Sequence, residues 1–406
     1  MRRDEIVPKL GVAMGSGSAA IDSPPREGEI PDDLHPRHLA VRVVQIAAVV
    51  AVVAIAISAL PGLGEVRARF ADADPMWIVA VVLAEVGSCA GYLLVFRSTF
   101  CSQMSWSLSY DIAMAEQAAN ALLPAGGAGG LALGVWALRQ AGMPTGHIAR
   151  RTVAFFVVTS AANFFAIVVT GVGVFVGILA GPGSAALTLV PALVTALGIA
   201  LVAASPRLLR ALGTRGADAD GAGDSDGAGD SDGVAAAGHA EGFMDRTRRG
   251  LRMALGAVAD GVEQAIVLLR GRSLGVVVGS FAYMAFDIAA LGFGFAAVGS
   301  VPAFGTLVLA YLIGQLGNLI PLPGGIGGTE LGLVGVFVLY GVSVTEATAA
   351  VLVYRLFQLA VPALLGTPAF FLLRRKLMRA DKPAMVCAPL ALEVVRLPSP
   401  STTTTA

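Results

Sequence analysis

Charge is scarce in this chain: Asp, Glu, Lys and Arg make up 14% of its 406 residues, against about 25% in soluble domains. Apolar residues reach 56% before glycine is counted, above the ~45–50% that a soluble domain shows with glycine included. One soluble core cannot hide that excess, so the composition describes a polytopic membrane protein. Cysteine is nearly absent, and Cys89, Cys101 and Cys387 form no CxxC, so neither a disulfide framework nor a zinc site is indicated. His35, His38, His147 and His239 have no ligand spacing, so no histidine metal site is indicated, and no glycine run leads into Gly-Lys-Ser/Thr, so a P-loop is excluded. The 28 basic residues are balanced by 28 acidic ones, leaving no basic field for nucleic acid. Residues 1–38 lack the basic start and short apolar run of a cleaved signal and are expected to be a disordered cytoplasmic tail.

Long apolar runs, by contrast, are plentiful. A spanning helix needs about 20 apolar residues, and Leu39 to Leu60, Met76 to Phe96, Thr152 to Ala180, Ser184 to Ala204 and Leu274 to Val298 supply them. A sixth run, Thr345 to Leu373, is interrupted by Arg355. Two further stretches break in the middle: Trp106 to Ala141 at Pro124-Ala-Gly-Gly-Ala-Gly-Gly130, and Phe304 to Tyr340 at Pro321-Leu-Pro-Gly-Gly-Ile-Gly-Gly328. Their halves are too short to cross and fit re-entrant hairpins, whose irregular backbone is tolerated at membrane depth only inside protein or a watery cavity. If both turn back, the basic clusters from Arg139 to Arg151, Arg207 to Arg272 and Arg374 to Arg379 share one side, leaving Arg67 and Arg69 opposite. The positive-inside rule then puts both termini in the cytoplasm. The expected fold is an all-α bundle of six transmembrane helices plus two re-entrant helical hairpins in an inverted repeat.

The domain expectations follow. Residues 39–204 form the first membrane half, with its repeat unit at 76–180, and residues 273–376 form the second. Between them, residues 205–245 are expected to be a Gly/Asp-rich cytoplasmic linker, because Gly-Ala-Gly-Asp-Ser-Asp recurs at Gly221 and Gly227 and is too polar to pack. Its Asp-x-Asp-Gly pattern could hold calcium weakly but lacks the terminal bidentate Glu of an EF-hand, so a solvated spacer is the favoured reading. Residues 246–272 place Leu251, Leu255, Val258, Val262, Ile266 and Leu269 at helical spacing behind four arginines, as in an interfacial amphipathic helix; packing on the cytoplasmic ends of the bundle would read the same. Residues 377–406 are expected to be a second disordered tail.

The repeat is visible directly, and the orientation above makes it an inverted one. A shift of 198 residues lays Gln117-Ala-Ala-Asn120 on Gln315-Leu-Gly-Asn318 and Gly126-Gly127-Ala-Gly-Gly130 on Gly324-Gly325-Ile-Gly-Gly328, with eight of the eighteen positions from 117 to 134 identical. Secondary transporters are often built from such inverted units, with interrupted segments marking a site near the midplane. A helix restarting after a glycine turn also offers free backbone N–H groups to an anion.

Ionisable groups inside spans cost roughly 2.5–3.5 kcal/mol on insertion scales, so they normally face a partner or a cavity. Here they are Glu85, Glu116, Asp287, Glu330 and Arg355, and Arg355 shares a helix face with Gln358. Glu330 has three readings: favourable charge at a helix start capped by Thr329, a buried pair with Arg355, or a partner that Arg355 exchanges for a substrate phosphate.

The run Asn318-Leu-Ile-Pro-Leu-Pro-Gly-Gly-Ile-Gly-Gly-Thr-Glu330, with Tyr340 to Ala347, Tyr354-Arg355 and Gly366, resembles the membrane region of lysylphosphatidylglycerol synthases and their stand-alone flippase-like relatives. Asn120-Ala-Leu-Leu-Pro-Ala-Gly-Gly-Ala-Gly-Gly130, followed by Arg139-Gln-Ala-Gly-Met, is similar to the earlier motif of that family, and the likeness runs from about residue 39 to 376. It implies a lipid flippase in a prokaryotic inner membrane. Two departures matter. No aminoacyl-transfer domain is read after the last span, so no enzymatic activity is expected. Ala132 stands where the repeat puts Glu330, so the hairpins cannot offer equivalent carboxylates.

The expected function is therefore movement of a phospholipid or glycolipid headgroup between leaflets, with an ion-coupled carrier of a small soluble solute as the alternative. The expected groove residues are Gln117, Asn120, Gly126, Gly127, Gln315, Asn318, Gly324, Gly325, Glu330, Arg355 and Gln358, with Glu85, Glu116 and Asp287 secondary. No cofactor is expected. The expected partners are membrane lipids with an anionic headgroup, with a second copy of the chain and a separate lipid-modifying enzyme left open.

Overall fold

The computed structural model describes residues 64–122, 128–220, 260–268, 273–319 and 327–378, and these contain helices and no strand. The elements are α1 (Gly64–Ala71), α2 (Pro75–Phe100), α3 (Trp106–Leu122), α4 (Ala128–Gln140), α5 (Thr145–Phe175), α6 (Ala185–Asp220), α7 (Leu274–Val298), α8 (Phe304–Gly314), a 3-10 turn (Gln315–Leu319), α9 (Gly328–Leu339) and α10 (Val344–Leu377). Both tails, the span expected at Leu39 to Leu60, and the turn glycines Gly126, Gly127, Gly324 and Gly325 lie outside the described residues.

Four of these helices, α2, α5, α7 and α10, are long and apolar enough to cross a membrane. Local chemistry fixes where two of them start. Asp74 accepts a hydrogen bond from the Met76 N–H at 2.9 Å with Pro75 in the first turn, and Ser343 accepts from the Glu346 N–H at 3.3 Å at the head of α10. The run expected to span from Ser184 to Ala204 forms the apolar helix Ala185–Leu201, and α6 then continues to Asp220. It therefore extends into the stretch expected as a linker, where Ala, Leu and Arg are all good helix formers. Of the expected interfacial helix, residues 260–268 are described, and they are helical.

The bundle is organised around α2 and α7, which cross antiparallel at very short range. A Cβ on Gly91 would stand 2.4 Å from the backbone nitrogen of Tyr283, and one on Gly279 would stand 2.5 Å from that of Val95. Only glycine permits this approach, and the same small-residue logic governs helix association in lipid. At the far end of the crossing, the Asp74 N–H donates to the Ala297 carbonyl at 3.2 Å.

The halves of each broken segment pack on each other. In the first, the Glu116 carboxyl lies over Gly134, and the Gly130 N–H donates to Asn120 Oδ1 at 3.0 Å. In the second, Gly314 and Gly317 lie against Gly332, with the Gly314 carbonyl 2.4 Å from where a Gly332 Cβ would be. The contacts 116 with 134 and 314 with 332 are related by the same 198-residue shift. The incoming halves also cross over between units: α3 packs on α10, where Gly366 meets the Met114 carbonyl, and α8 packs on α5, where Gly305 meets Val174.

Candidate functional site

A buried polar cluster lies where α7, α8, α9 and α10 meet. Asp287, in the middle of α7, is 5% exposed. One of its oxygens, Oδ2, accepts from the Tyr311 hydroxyl of α8, from the Tyr354 hydroxyl of α10 at 3.0 Å, and from Gln358 Nε2 at 3.4 Å. Gln358 also donates to the Tyr354 oxygen and accepts from Arg355 Nη1. Arg355 Nε then donates to Glu330 Oε1 at 2.8 Å, and Glu330 Oε2 accepts from the Gly327 N–H at 2.8 Å. The result is a continuous polar line from mid-α7 to the first turn of α9.

Each link has a local cause. Tyr354 and Gln358 stand four apart on α10, and Arg355 and Gln358 stand three apart, so helical spacing puts all three on one face. Glu330 is fixed from behind. Gly327 has φ +106°, so the chain reverses there and α9 starts at Gly328, with Glu330 reaching back to the exposed N–H. Thr329, expected as the cap, is instead inside the first turn and buried, because the positive-φ turn starts the helix before it.

The Arg355–Glu330 pair is neither fully buried nor free, with side chains 16% and 19% exposed. Two of the guanidinium's nitrogens are committed, and among the described residues nothing accepts from the third, Nη2. A planar fork with a donor to spare suits a second bidentate acceptor such as a phosphate.

Glu85 approaches the same cluster from α2. It is 2% exposed, the charged groups facing it are Asp287 and Arg355, and its Oε1 has no hydrogen-bond partner among the described residues.

The first unit makes a separate, smaller cluster. Tyr92 of α2 donates to Glu116 Oε2 at 3.0 Å. Gln117 is half-buried beside Tyr283, whose ring meets Tyr92 edge to face at 5.5 Å. Tyr92 with Glu116 and Asp287 with Tyr311 are each 24 residues apart, with acid and tyrosine exchanged between span and hairpin half. Asn120 accepts from the Gly130 N–H of the facing half, Gln315 is half-buried beside Tyr311, and Asn318 is placed only as part of the 3-10 turn. Thus Glu330, Arg355, Gln358 and Asp287 are joined by bonds, whereas Glu116, Gln117 and Asn120 are not bonded to them. The four tyrosines were not expected. Their signal is general: a tyrosine buried in an apolar helix must find an acceptor for its hydroxyl.

The two ends of the bundle differ in charge. At one end the Lys376 ammonium pairs with Asp111 and donates to Ser107 Oγ at 2.6 Å, while the Arg97 guanidinium lies 4.3 Å from the Trp106 ring centroid. At the other, Arg69 donates to the Val298 carbonyl at 2.9 Å, and Glu346 accepts from the Ser300 N–H at 2.8 Å.

The family model for the lysylphosphatidylglycerol synthase TM region matches residues 43–366. The chain belongs to this family. The match takes in both broken segments and every member of the Arg355 cluster. No curated protein matches the chain. Membership makes it a multi-pass membrane protein of a lipid-related family, in keeping with its four long apolar helices.

Proposed function

We propose that the protein moves the headgroup of an anionic phospholipid or glycolipid between the leaflets of a prokaryotic inner membrane, along a polar groove, while the acyl chains stay in the bilayer. The observation that carries this is the Arg355 guanidinium beside a helix start, held by Glu330 and Gln358 and, among the described residues, left with a donor to spare. Arg355 binds the headgroup phosphate, and Glu330 is the counter-ion it leaves when the phosphate arrives. Gln358 orients the guanidinium through its carbonyl oxygen. Arg355 and Glu330 stabilise each other between turnovers, which lowers the cost of keeping both at membrane depth.

On this reading the two broken segments are re-entrant hairpins entering from opposite sides, and the units they belong to form an inverted repeat of the kind that supports alternating access. The antiparallel α2–α7 crossing and the exchanged packing of α3 on α10 and α8 on α5 support it. The end bearing Arg97 and Lys376 faces the cytoplasm, as its basic residues favour. No catalytic step and no cofactor enters this reading. A proteoliposome assay of leaflet exchange with lipids differing only in headgroup tests it. Exchange of phosphate-bearing lipids above a protein-free control is the expected result. Binding of a small soluble solute without lipid competition, and no exchange of any lipid, would favour the solute carrier instead.

A further inference from the structure

Among the described residues, Glu85 is the buried carboxyl beside the Arg355 cluster that has an oxygen with no hydrogen-bond donor. Asp287 accepts from three donors, and Glu330 is paired with Arg355 and the Gly327 N–H. Glu85 is 2% exposed, and among the described residues its Oε1 accepts from nothing. An ionised carboxylate is acceptor-only, whereas a protonated one has a single O–H and less need of partners. Leaving an isolated carboxylate at this depth is costly enough that the group normally neutralises.

The groups around it leave little alternative. From α7, Asp287 and Tyr283 face it; from α10, Arg355 and Tyr354; from its own helix, Cys89. On α3 the ionisable group at this depth is Glu116, already tied to Tyr92. The membrane part of α5, from Thr152 to Phe175, has no ionisable residue. Among the described residues Arg355 is the single cation in the cluster, and it donates to Glu330 and Gln358.

We propose that Glu85 is a proton-binding site that couples transport to a proton gradient. In the arrangement described above, closed in the sense that Glu85 is shut away from water, its carboxyl carries a proton. When the α2–α7 face opens to water on one side, the O–H bond breaks, the proton passes to water on that side, and the carboxylate left behind is hydrated. Each return to the closed arrangement takes up one proton from whichever side is then accessible. The coupling rests on the lipid-transport reading above, but proton occupancy of Glu85 does not.

Infrared spectroscopy of the purified protein at neutral pH separates the two, because a protonated carboxyl has its own carbonyl stretch. With Glu116 replaced by Gln, the protein should show that band and carbon-13 labelling of glutamate should shift it, whereas a band carried by Asp287 would not move. Adding Glu85→Gln should remove the part that shifts; if that variant does not fold, the shift in Glu116→Gln alone is read. Absence of a glutamate-shifted band in Glu116→Gln, or its survival when Glu85→Gln is added, would overturn the proton site. In proteoliposomes the wild-type lipid exchange rate should change at least severalfold when a pH gradient is imposed. An active wild type whose rate ignores the gradient would overturn the coupling, and a wild type that exchanges no lipid would overturn the transport reading on which that coupling rests.

Discussion

Arg355 and Glu330 meet at 2.8 Å from different helices, Arg355 from the middle of α10 and Glu330 from the first turn of α9, so one ion pair ties a transmembrane helix to the restart of a broken one. The same guanidinium bonds Gln358 on its own helix, which orients it before any substrate arrives.

Because the pair is partly buried, removing one partner leaves the other uncompensated, and the two residues should couple in stability. A double-mutant cycle on Arg355→Gln and Glu330→Gln, read as thermal unfolding in detergent, should give a coupling within ~0.5–3 kcal/mol. Strict additivity would mean the pair contributes nothing.

Tyr354 and Tyr311 both donate to Asp287 Oδ2. Hydrogen bonds to charged groups are worth about 1.5–3 kcal/mol. Tyr354→Phe and Tyr311→Phe should each lower the unfolding temperature in the wild-type background. In an Asp287→Leu background, where neither hydroxyl has its acceptor, each should cost much less. Equal costs in both backgrounds would show that the rings matter and the hydroxyls do not.

The α2–α7 crossing depends on glycine. Gly91→Ala puts a methyl 2.4 Å from the Tyr283 backbone, where neither helix can yield locally, and overpacking of this kind costs about 1–3 kcal/mol. Gly335→Ala, on α9 with nothing within 4 Å, is the matched control and should be neutral. Folded yield after size-exclusion chromatography reports both.

Lys376 holds the basic end of α10 to Asp111 and Ser107 of α3. Lys376→Gln should loosen that end and raise the labelling rate of a cysteine placed at Ser107, measured over the background of the native cysteines. An unchanged rate would show that packing alone keeps the two helices together.

Much of this architecture was legible in the sequence, for identifiable reasons. The helices α2, α5, α7 and α10 announce themselves by apolar length, which needs no tertiary information. The broken segments were marked by duplicated glycines, and the halves do fold back on each other at Gly314 with Gly332 and at Asn120 with Gly130. Arg355 and Gln358 were paired correctly by helical spacing alone, and the Arg355–Glu330 contact was one of three readings open at that stage. The tyrosines escaped because a hydroxyl in an apolar helix does not say which acid it will meet. Thr329 was misassigned as a cap because the positive φ at Gly327 is a property of the turn, not of the local residue pattern. The extension of α6 past Ala204 to Asp220 was hidden by the low-complexity segment beginning at Gly221, which drew attention to a linker rather than to the helix leading into it.

The central claim, that Arg355 binds a headgroup phosphate, is tested most directly by leaflet exchange of a phosphodiester lipid in proteoliposomes holding equal amounts of folded wild type, Arg355→Gln and Arg355→Lys. The account predicts that Arg355→Gln falls to the protein-free rate. It also predicts that Arg355→Lys keeps only a small fraction of activity, since an ammonium is a point charge without the planar fork. Exchange by Arg355→Gln at the wild-type rate would contradict it.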